Sequence, residues 1–207
     1  MSSDPHYGLA LHTTSPQLGL ALSNFAGDTR AQTWEVGREL STCLHLHLKE
    51  FLAPQTWRHL KFVAVAKGPG GFTSTRIGIV TARTLAQQLN VPLFAISSLA
   101  VIAWSPASTT PTAIEMTARR GQLFVGIYQT SPDGTGLVEC LSDRTLNPDA
   151  WQQTLDTLPN YRLIKAPVGL GNTAPSLLEL AHWQWHQGQR PHWSHALPFY
   201  GFQPVDN

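Results

Sequence analysis

Short apolar runs separated by turn residues fill the first part of the chain. Three of them predict β-strands, over 7–14, 18–24 and 30–37. From residue 38 to residue 52, leucines recur at helical spacing and predict a helix. The continuous apolar run over 60–67 predicts a buried strand, and the glycine-rich bend after it leads into a second predicted helix over 73–89.

The segment over 105–112, SPASTTPT, is the one clear break in composition. Its Pro, Ser and Thr residues predict a hinge between an N-terminal lobe over 1–105 and a C-terminal lobe over 106–207. Beyond the hinge, the pattern predicts three strands, then a helix, a strand, a second helix and an irregular tail. These elements are expected over 112–118, 121–130, 136–141, 147–158, 161–171, 173–188 and 190–207. Each half therefore begins with strands and continues with alternating helices and strands.

Charge and cysteine usage narrow the function classes. Lys and Arg total 14 against 13 Asp and Glu, a net charge of +1, so no global field draws the chain to nucleic acid or to a membrane surface. Cys43 and Cys140 indicate free thiols in a reducing compartment. The chain shows no secretion signal and no stretch near the about 20 apolar residues of a membrane span. We therefore expect a cytoplasmic protein with no membrane partner.

The bend before the second predicted helix has the composition of an anion site. Backbone N–H groups and the positive end of the helix dipole would converge there. The candidate phosphate loop consists of Gly68, Gly70, Gly71 and Thr73. The Gly-Lys-Ser/Thr ending of a Walker loop is missing, and the glycine spacing does not match the dinucleotide fingerprint. The alternative is that the glycines allow close packing of strand and helix and turns with positive φ.

The same stretch resembles a family signature. GPGGFTSTRIG, over 68–78, is similar to the Gly-Pro-Gly-Ser-Phe-Thr-Gly-x-Arg-Ile-Gly motif of the TsaB (YeaZ) family, with differences at Gly71 and Ser74. LALHTTS near the start, RELSTCLHLHLKEFL, VPLFAISSLAVIA and TARRGQLFVGIY also resemble segments of that family. ALPFYGFQPV stands where the family usually has a Pro-x-Tyr-Leu-Arg end. The resemblance covers nearly all of the chain.

That resemblance implies an α/β fold with two lobes of the actin, sugar-kinase and Hsp70 type, ribonuclease H-like, in which mixed sheets are flanked by helices. It also implies an accessory, non-catalytic role in making N6-threonylcarbamoyladenosine (t6A) at position 37 of tRNA. The implied partners are the threonylcarbamoyltransferase TsaD, which the chain would bind and activate, and the ATPase TsaE. Contact with tRNA would be indirect, and a homodimer is expected when TsaD is absent. No cofactor is expected on the chain alone, while ATP or ADP in the complex stays open.

The resemblance also implies where the partner binds. In relatives, the two helices predicted over 38–52 and 73–89 pair with their equivalents in TsaD, or in a second copy, as a four-helix bundle. Both helices here carry apolar residues on more than one face, which a helix that buries a single stripe does not need. The residues expected at the interface are Leu44, His45, Leu48, Arg76, Ile79, Thr81, Ala82 and Arg83. The alternative is a wider internal core.

Several positions bear on catalysis. A kinase or ATPase of this fold needs carboxylates at strand ends to hold Mg²⁺. His12 and Thr117 stand where relatives often carry Asp, and Glu115 is the local substitute. His182 and His186 are four residues apart on a predicted helix, but the acidic residue of a His-Glu-x-x-His motif is absent. We therefore predict no catalytic residue and no metal site; a free-standing ATP-dependent small-molecule kinase and a metallopeptidase-like protein are the alternatives.

Overall fold

The first half of the chain forms a five-stranded mixed sheet. The computed structural model describes residues 6–106, 108–132, 134 and 136–201. The strands of this sheet are β1 (Tyr7–His12), β2 (Gln17–Ser23), β3 (Thr29–Glu35), β4 (Leu60–Ala66) and β5 (Leu93–Ile96). Their order is β3-β2-β1-β4-β5, with β1, β2 and β3 antiparallel and β4 and β5 parallel to β1. The strands predicted from the apolar runs are therefore confirmed.

Three helices connect these strands and lead out of the sheet: α1 (Leu40–Leu52), α2 (Phe72–Leu89) and α3 (Ser98–Ala103). The helix predicted from residue 38 begins at Leu40, because Gly37–Glu39 forms a 3₁₀ turn. α1 and α2 cover one face of the sheet, where the leucines of alternating strand positions such as Leu9 and Leu11 form the core. Within the described part of the chain, no helix is long and apolar enough to span a bilayer.

The second half repeats the same connectivity on a smaller scale. Its elements are β6 (Thr112–Thr117), β7 (Leu123–Thr130), β8 (Leu137–Leu146), α4 (Pro148–Asp156), β9 (Arg162–Lys165) and α5 (Ala174–His186). The strand order is β8-β7-β6-β9, with β6, β7 and β8 antiparallel and β9 parallel to β6. Two mixed sheets with the same order, each flanked by helices, confirm the predicted α/β fold class.

The predicted division into lobes at residues 105 and 106 needs a correction. The strands divide there, but α5 packs against β1, β2, β4 and β5 of the first sheet. Its buried residues Leu177 and Leu180 share a core with Ala10 and Phe94, on the sheet face that α1 and α2 leave uncovered. Because that face is apolar, a helix from the second half is needed to cover it. Part of the chain after α5 also lies on the first sheet, where the Leu93 N–H donates to the Pro191 carbonyl.

Candidate functional site

The outer surface of α1 and α2 carries large apolar side chains in water. Leu46 on α1 is 55 % exposed, and Phe72 and Val80 on α2 are 50 % and 62 % exposed. The guanidinium of Arg76 lies over the Phe72 ring, 5.2 Å from its centroid, and His45 is exposed beside Leu46 along α1. We call these five residues the α1–α2 face. Exposed apolar residues collected on one surface mark interaction sites more often than residues scattered singly.

Five of the eight predicted interface residues are buried within the chain and therefore do not form an exposed surface. Leu44, Leu48, Ile79 and Ala82 are at most 2 % exposed and belong to the core between the helices and the first sheet. Thr81 is buried as well. The physical reason is helical phase. Residues three and four apart share one side of a helix, and that side of α1 and α2 faces the sheet.

The remaining predicted interface residues are accessible. His45 and Arg76 are exposed, whereas Arg83 is half-buried with its guanidinium 5.5 Å from the centroid of the Trp193 ring. Their role at an interface stays a prediction. On the same side of α2, the Tyr200 ring lies 4.7 Å from the Phe72 ring, so the end of the described chain borders the α1–α2 face.

The glycine-rich bend serves close packing within the chain. Gly68 has a left-handed φ of +99°, and a Cβ added to Gly70 would overlap the Thr14 carbonyl. The Gly71 N–H, which the phosphate hypothesis would direct at an anion, donates instead to that Thr14 carbonyl at 2.8 Å. The packing alternative therefore has direct structural support at Gly68, Gly70 and Gly71. Thr73, in the first turn of α2, faces a cleft.

That cleft, of about 820 Å³, lies between the bend, the end of β6 and the segment after β9. Its polar lining includes the hydroxyls of Thr73, Ser74 and Thr117 and the guanidinium groups of Arg38 and Arg119. No carboxylate is among the described residues that line it. These donors suit an anion, but they do not fit a magnesium-bound nucleotide, because Mg²⁺ in such sites is held through one or two carboxylates.

Of the three residues considered for the carboxylate positions, Thr117 lines the cleft, whereas His12 and Glu115 lie elsewhere. His12 is fully buried, and neither ring nitrogen has a hydrogen-bond partner among the described residues. Burial lowers the pKa of His12 to about 3, so the imidazole is neutral. Glu115 accepts a hydrogen bond from Trp151 Nε1 at 2.9 Å and pairs with Lys165 Nζ at 3.3 Å, which ties it to α4 and β9.

The histidine pair on α5 belongs to an aromatic cluster. The ring centroids of His182 and His186 are 4.2 Å apart, and His182 stacks on Phe25 with a centroid distance of 3.4 Å. Burial, with a smaller effect of His186, lowers the pKa of His182 to about 4. Among the residues that the structure describes, no group of three or more His, Cys, Asp and Glu side chains is placed to hold a metal ion.

Comparison with known proteins shows what this chain is similar to. The family model described as "TsaD: tRNA N6-adenosine threonylcarbamoyltransferase" matches residues 42–136, slightly under half of the chain. A "tRNA threonylcarbamoyladenosine biosynthesis protein TsaB" from Bacillus subtilis (strain 168) is 42% identical over 79 residues, 38% of this chain and 33% of the relative. The TsaB protein of Escherichia coli (strain K12) is 33% identical over 75 residues, 35% of this chain and 32% of the relative. The matches thus span about a third of these curated relatives.

Solved structures extend the similarity to the whole fold. "YeaZ from Pseudomonas aeruginosa" superposes with a TM-score of 0.76 at 24% identity, and covers 94% of this chain and 100% of that one. A second Pseudomonas aeruginosa structure, of "an uncharacterized protein with similarity to peptidase YEAZ", gives a TM-score of 0.79 at 23% identity, with 95% and 100% covered. The chain is similar in part of its sequence to TsaB proteins and in its whole fold to YeaZ. The segment matched by the TsaD family model includes most of α1 and all of α2, so the α1–α2 face lies within it.

Sequence reasoning missed three members of the α1–α2 face as contact residues: Leu46, Phe72 and Val80. The signal was present, because Leu46 and Val80 are apolar and out of phase with the buried stripes of their helices.

A second feature of the structure left no signal in the sequence. Asp143 of β8 accepts hydrogen bonds from Tyr128 and from Ser97, which lie 15 and 46 residues away.

Proposed function

We propose that this chain is an accessory, non-catalytic subunit of the machinery that makes t6A in tRNA, and that it acts by docking through the α1–α2 face. The carrying observation is the exposure of Leu46, Phe72 and Val80 on two adjacent helices whose inner faces are already buried. Sequence similarity supports the pathway, because the curated TsaB relatives are named for threonylcarbamoyladenosine biosynthesis.

The partner we propose for this face is the TsaD protein of the same cell. The chain itself matches the TsaD family model across most of α1 and all of α2, so a TsaD protein is expected to have the same pair of helices. Two related helix pairs can pack face to face in a nearly symmetric way, as the two halves of an isologous interface do. The same argument predicts a homodimer of this chain when TsaD is absent.

The non-catalytic part of the proposal rests on the chemistry of the cleft. His12 is buried and neutral, and the described cleft lining has hydroxyls and guanidinium groups but no carboxylates. Phosphoryl transfer needs metal ions held against the phosphates, and these side chains provide no ligand set for them. The same proposal includes a contact with TsaE and an indirect contact with tRNA through the complex. It leaves open whether the complex binds ATP or ADP.

The experiment is to mix the purified chain with its own TsaD and to measure complex formation by titration calorimetry and light scattering. Leu46→Glu and Val80→Glu each place a carboxylate at the centre of the interface, where burying an unpaired charge is unfavourable. We expect each variant to raise the dissociation constant at least about a hundredfold, which is the range of a hot-spot residue. tRNA modification in the reconstituted reaction should fall in parallel.

The matched control is Leu163→Glu, which adds the same charge at an exposed leucine of β9 in the other lobe. It should bind TsaD as the parent chain does. Unchanged binding by both Leu46→Glu and Val80→Glu would overturn the proposed interface. Sustained Mg²⁺-dependent ATP turnover by the chain alone, abolished by changes in the cleft, would instead favour the kinase alternative.

A further inference from the structure

A second cavity, of about 420 Å³, lies away from both the cleft and the α1–α2 face. Its walls come from the end of β4, the start of α3, the β7–β8 hairpin and the second half of α5. The volume falls within the about 300–1,000 Å³ of small-molecule sites, and the position between lobes is a common one for such sites.

A buried polar network adjoins this cavity through Ser97 and Tyr128, which line it. Tyr128, which lines it, donates a hydrogen bond to Asp143 Oδ1, and Ser97 Oγ donates to Asp143 Oδ2 at 2.5 Å. Gly126 lies opposite, and a Cβ there would collide with both Asp143 and Tyr128. Burial raises the pKa of Asp143, and the bonds from Ser97 and Tyr128 oppose that rise. The carboxylate is thus held by two neutral donors in a space that a glycine keeps open.

Opposite charges line the cavity without neutralising one another. Lys67 and Glu139 both line it, and both act electrostatically on Asp143. Among the described residues, however, Lys67 forms no ion pair with either carboxylate. The backbone of Lys67 is fixed by bonds to the Ile96 carbonyl and from the Phe199 N–H, while its ammonium group has no hydrogen-bond partner in the described part of the chain. An ammonium group without an ion-pair partner at a cavity wall favours a ligand that brings the opposite charge.

The rest of the lining suits a small organic body. Leu137, Leu180 and Trp183 provide apolar and aromatic surface, and Gln184 provides an amide. A few polar groups set into an apolar wall fix the orientation of a ligand, while the apolar wall accommodates its side chain. Lys67 and Glu139 give this lining one cation and one carboxylate, which match a molecule that carries both charges at one end and an uncharged group at the other.

We propose that this cavity binds a free α-amino acid with an uncharged side chain. Its carboxylate faces Lys67, its ammonium group faces Glu139, and its side chain packs against Trp183. The site is separate from the docking face, so it stands whether or not the chain binds TsaD.

The test titrates the full chain with a panel of L-amino acids that have uncharged side chains, by thermal shift and by calorimetry. At least one member should bind and raise the unfolding temperature, because a ligand that binds only the folded state stabilises it. Two derivatives of that member then probe the two charges. The N-acetyl derivative lacks the ammonium group and the carboxamide lacks the carboxylate, and each should bind at least about tenfold more weakly, since each loses a charge-assisted hydrogen bond.

Variants of the protein test the same contacts by changing the lining residues instead of the ligand. Lys67→Gln and Glu139→Gln should each raise the dissociation constant for the amino acid at least about tenfold. The matched controls Lys61→Gln and Glu50→Gln remove the same charges outside the cavity lining and should leave it unchanged. The inference is overturned if no amino acid of the panel binds, if the N-acetyl derivative binds as tightly as its parent, or if Lys67→Gln binds like the parent chain.

Discussion

Ile79 and Val80 are consecutive residues of α2 whose side chains lie in different environments. Ile79 is 2 % exposed and belongs to the core against the first sheet, whereas Val80 is 62 % exposed on the α1–α2 face. With 3.6 residues per turn, one step along a helix turns the side chain by about 100°. Ile79 therefore contributes to the packing of the chain itself, whereas Val80 is available to a partner.

The same substitution at these two positions should have different consequences. Ile79→Glu places a carboxylate among buried aliphatic side chains, so we expect it to lower the free energy of unfolding by at least about 3 kcal/mol. Val80→Glu places it in water and should change that free energy by no more than about 0.5 kcal/mol. Urea denaturation of the isolated chain measures both. Equal destabilisation by the two variants would contradict the helical phase described here.

Close packing between α2 and the end of β1 makes a second prediction. A Cβ on Gly78 would overlap Thr13 Oγ1, which itself donates a hydrogen bond to the Ser74 carbonyl at 3.0 Å. Gly78→Ala should therefore destabilise the chain by about 1–3 kcal/mol through overpacking. In a Thr13→Ala background the overlap with the hydroxyl is gone, so the same change should cost less. A double-mutant cycle gives this coupling, and independent effects of the two changes would refute the overlap as the cause.

The elements and the family motif could be predicted from the sequence, because both rest on local patterns. The helical phase of α1 could be predicted as well, because Leu44 and Leu48 recur at helical spacing and Leu46 falls outside that stripe, but local pattern alone did not decide which of the two faces lies against the sheet. The role of the glycine-rich bend, anion binding or close packing, could not be decided from the sequence for a similar reason. Its packing partner is the carbonyl of Thr14, more than fifty residues earlier in the chain, and no local pattern identifies such a contact.

The packing of α5 against the first sheet is another contact that local sequence patterns could not predict. The composition break over 105–112 correctly precedes the strands of the second sheet. The amphipathic pattern of α5 predicts that Leu177 and Leu180 are buried, but not which sheet they are buried against. Only the apolar face of the first sheet, assembled from separate strands, determines that choice.

The Asp143 network gives a prediction about stability. Tyr128→Phe removes one of the two donors to a buried carboxylate and leaves Asp143 Oδ1 without that bond. We expect the free energy of unfolding to fall by about 1–3 kcal/mol, the cost of leaving a buried acceptor unsatisfied. Tyr161→Phe is the matched control, because Tyr161 is partly buried against Trp151 and has no hydrogen bond from its hydroxyl among the described residues. If the two variants are equally stable, the network contributes little.

Burial of His12 makes the stability of the chain depend on pH. The folded chain takes up a proton on His12 only near its lowered pKa of about 3, whereas the unfolded chain does so below the ordinary value of 6.5. Between these values the unfolded state binds more protons, so stability present above pH 6.5 is lost as the pH falls, by about 1.4 kcal/mol per pH unit from this residue. His182, whose pKa is lowered to about 4, acts in the same direction.

The contribution of His12 can be isolated by comparing the pH dependence of variants. His12→Leu should flatten the fall in unfolding free energy between about pH 6.5 and about pH 4, while the part due to His182 remains. His45→Leu removes an exposed histidine of α1 and should keep the full slope of the parent chain. Urea denaturation across this range measures the three slopes. An unchanged slope in His12→Leu would mean that the buried imidazole is protonated with the fold intact, and that a partner or a water reaches it.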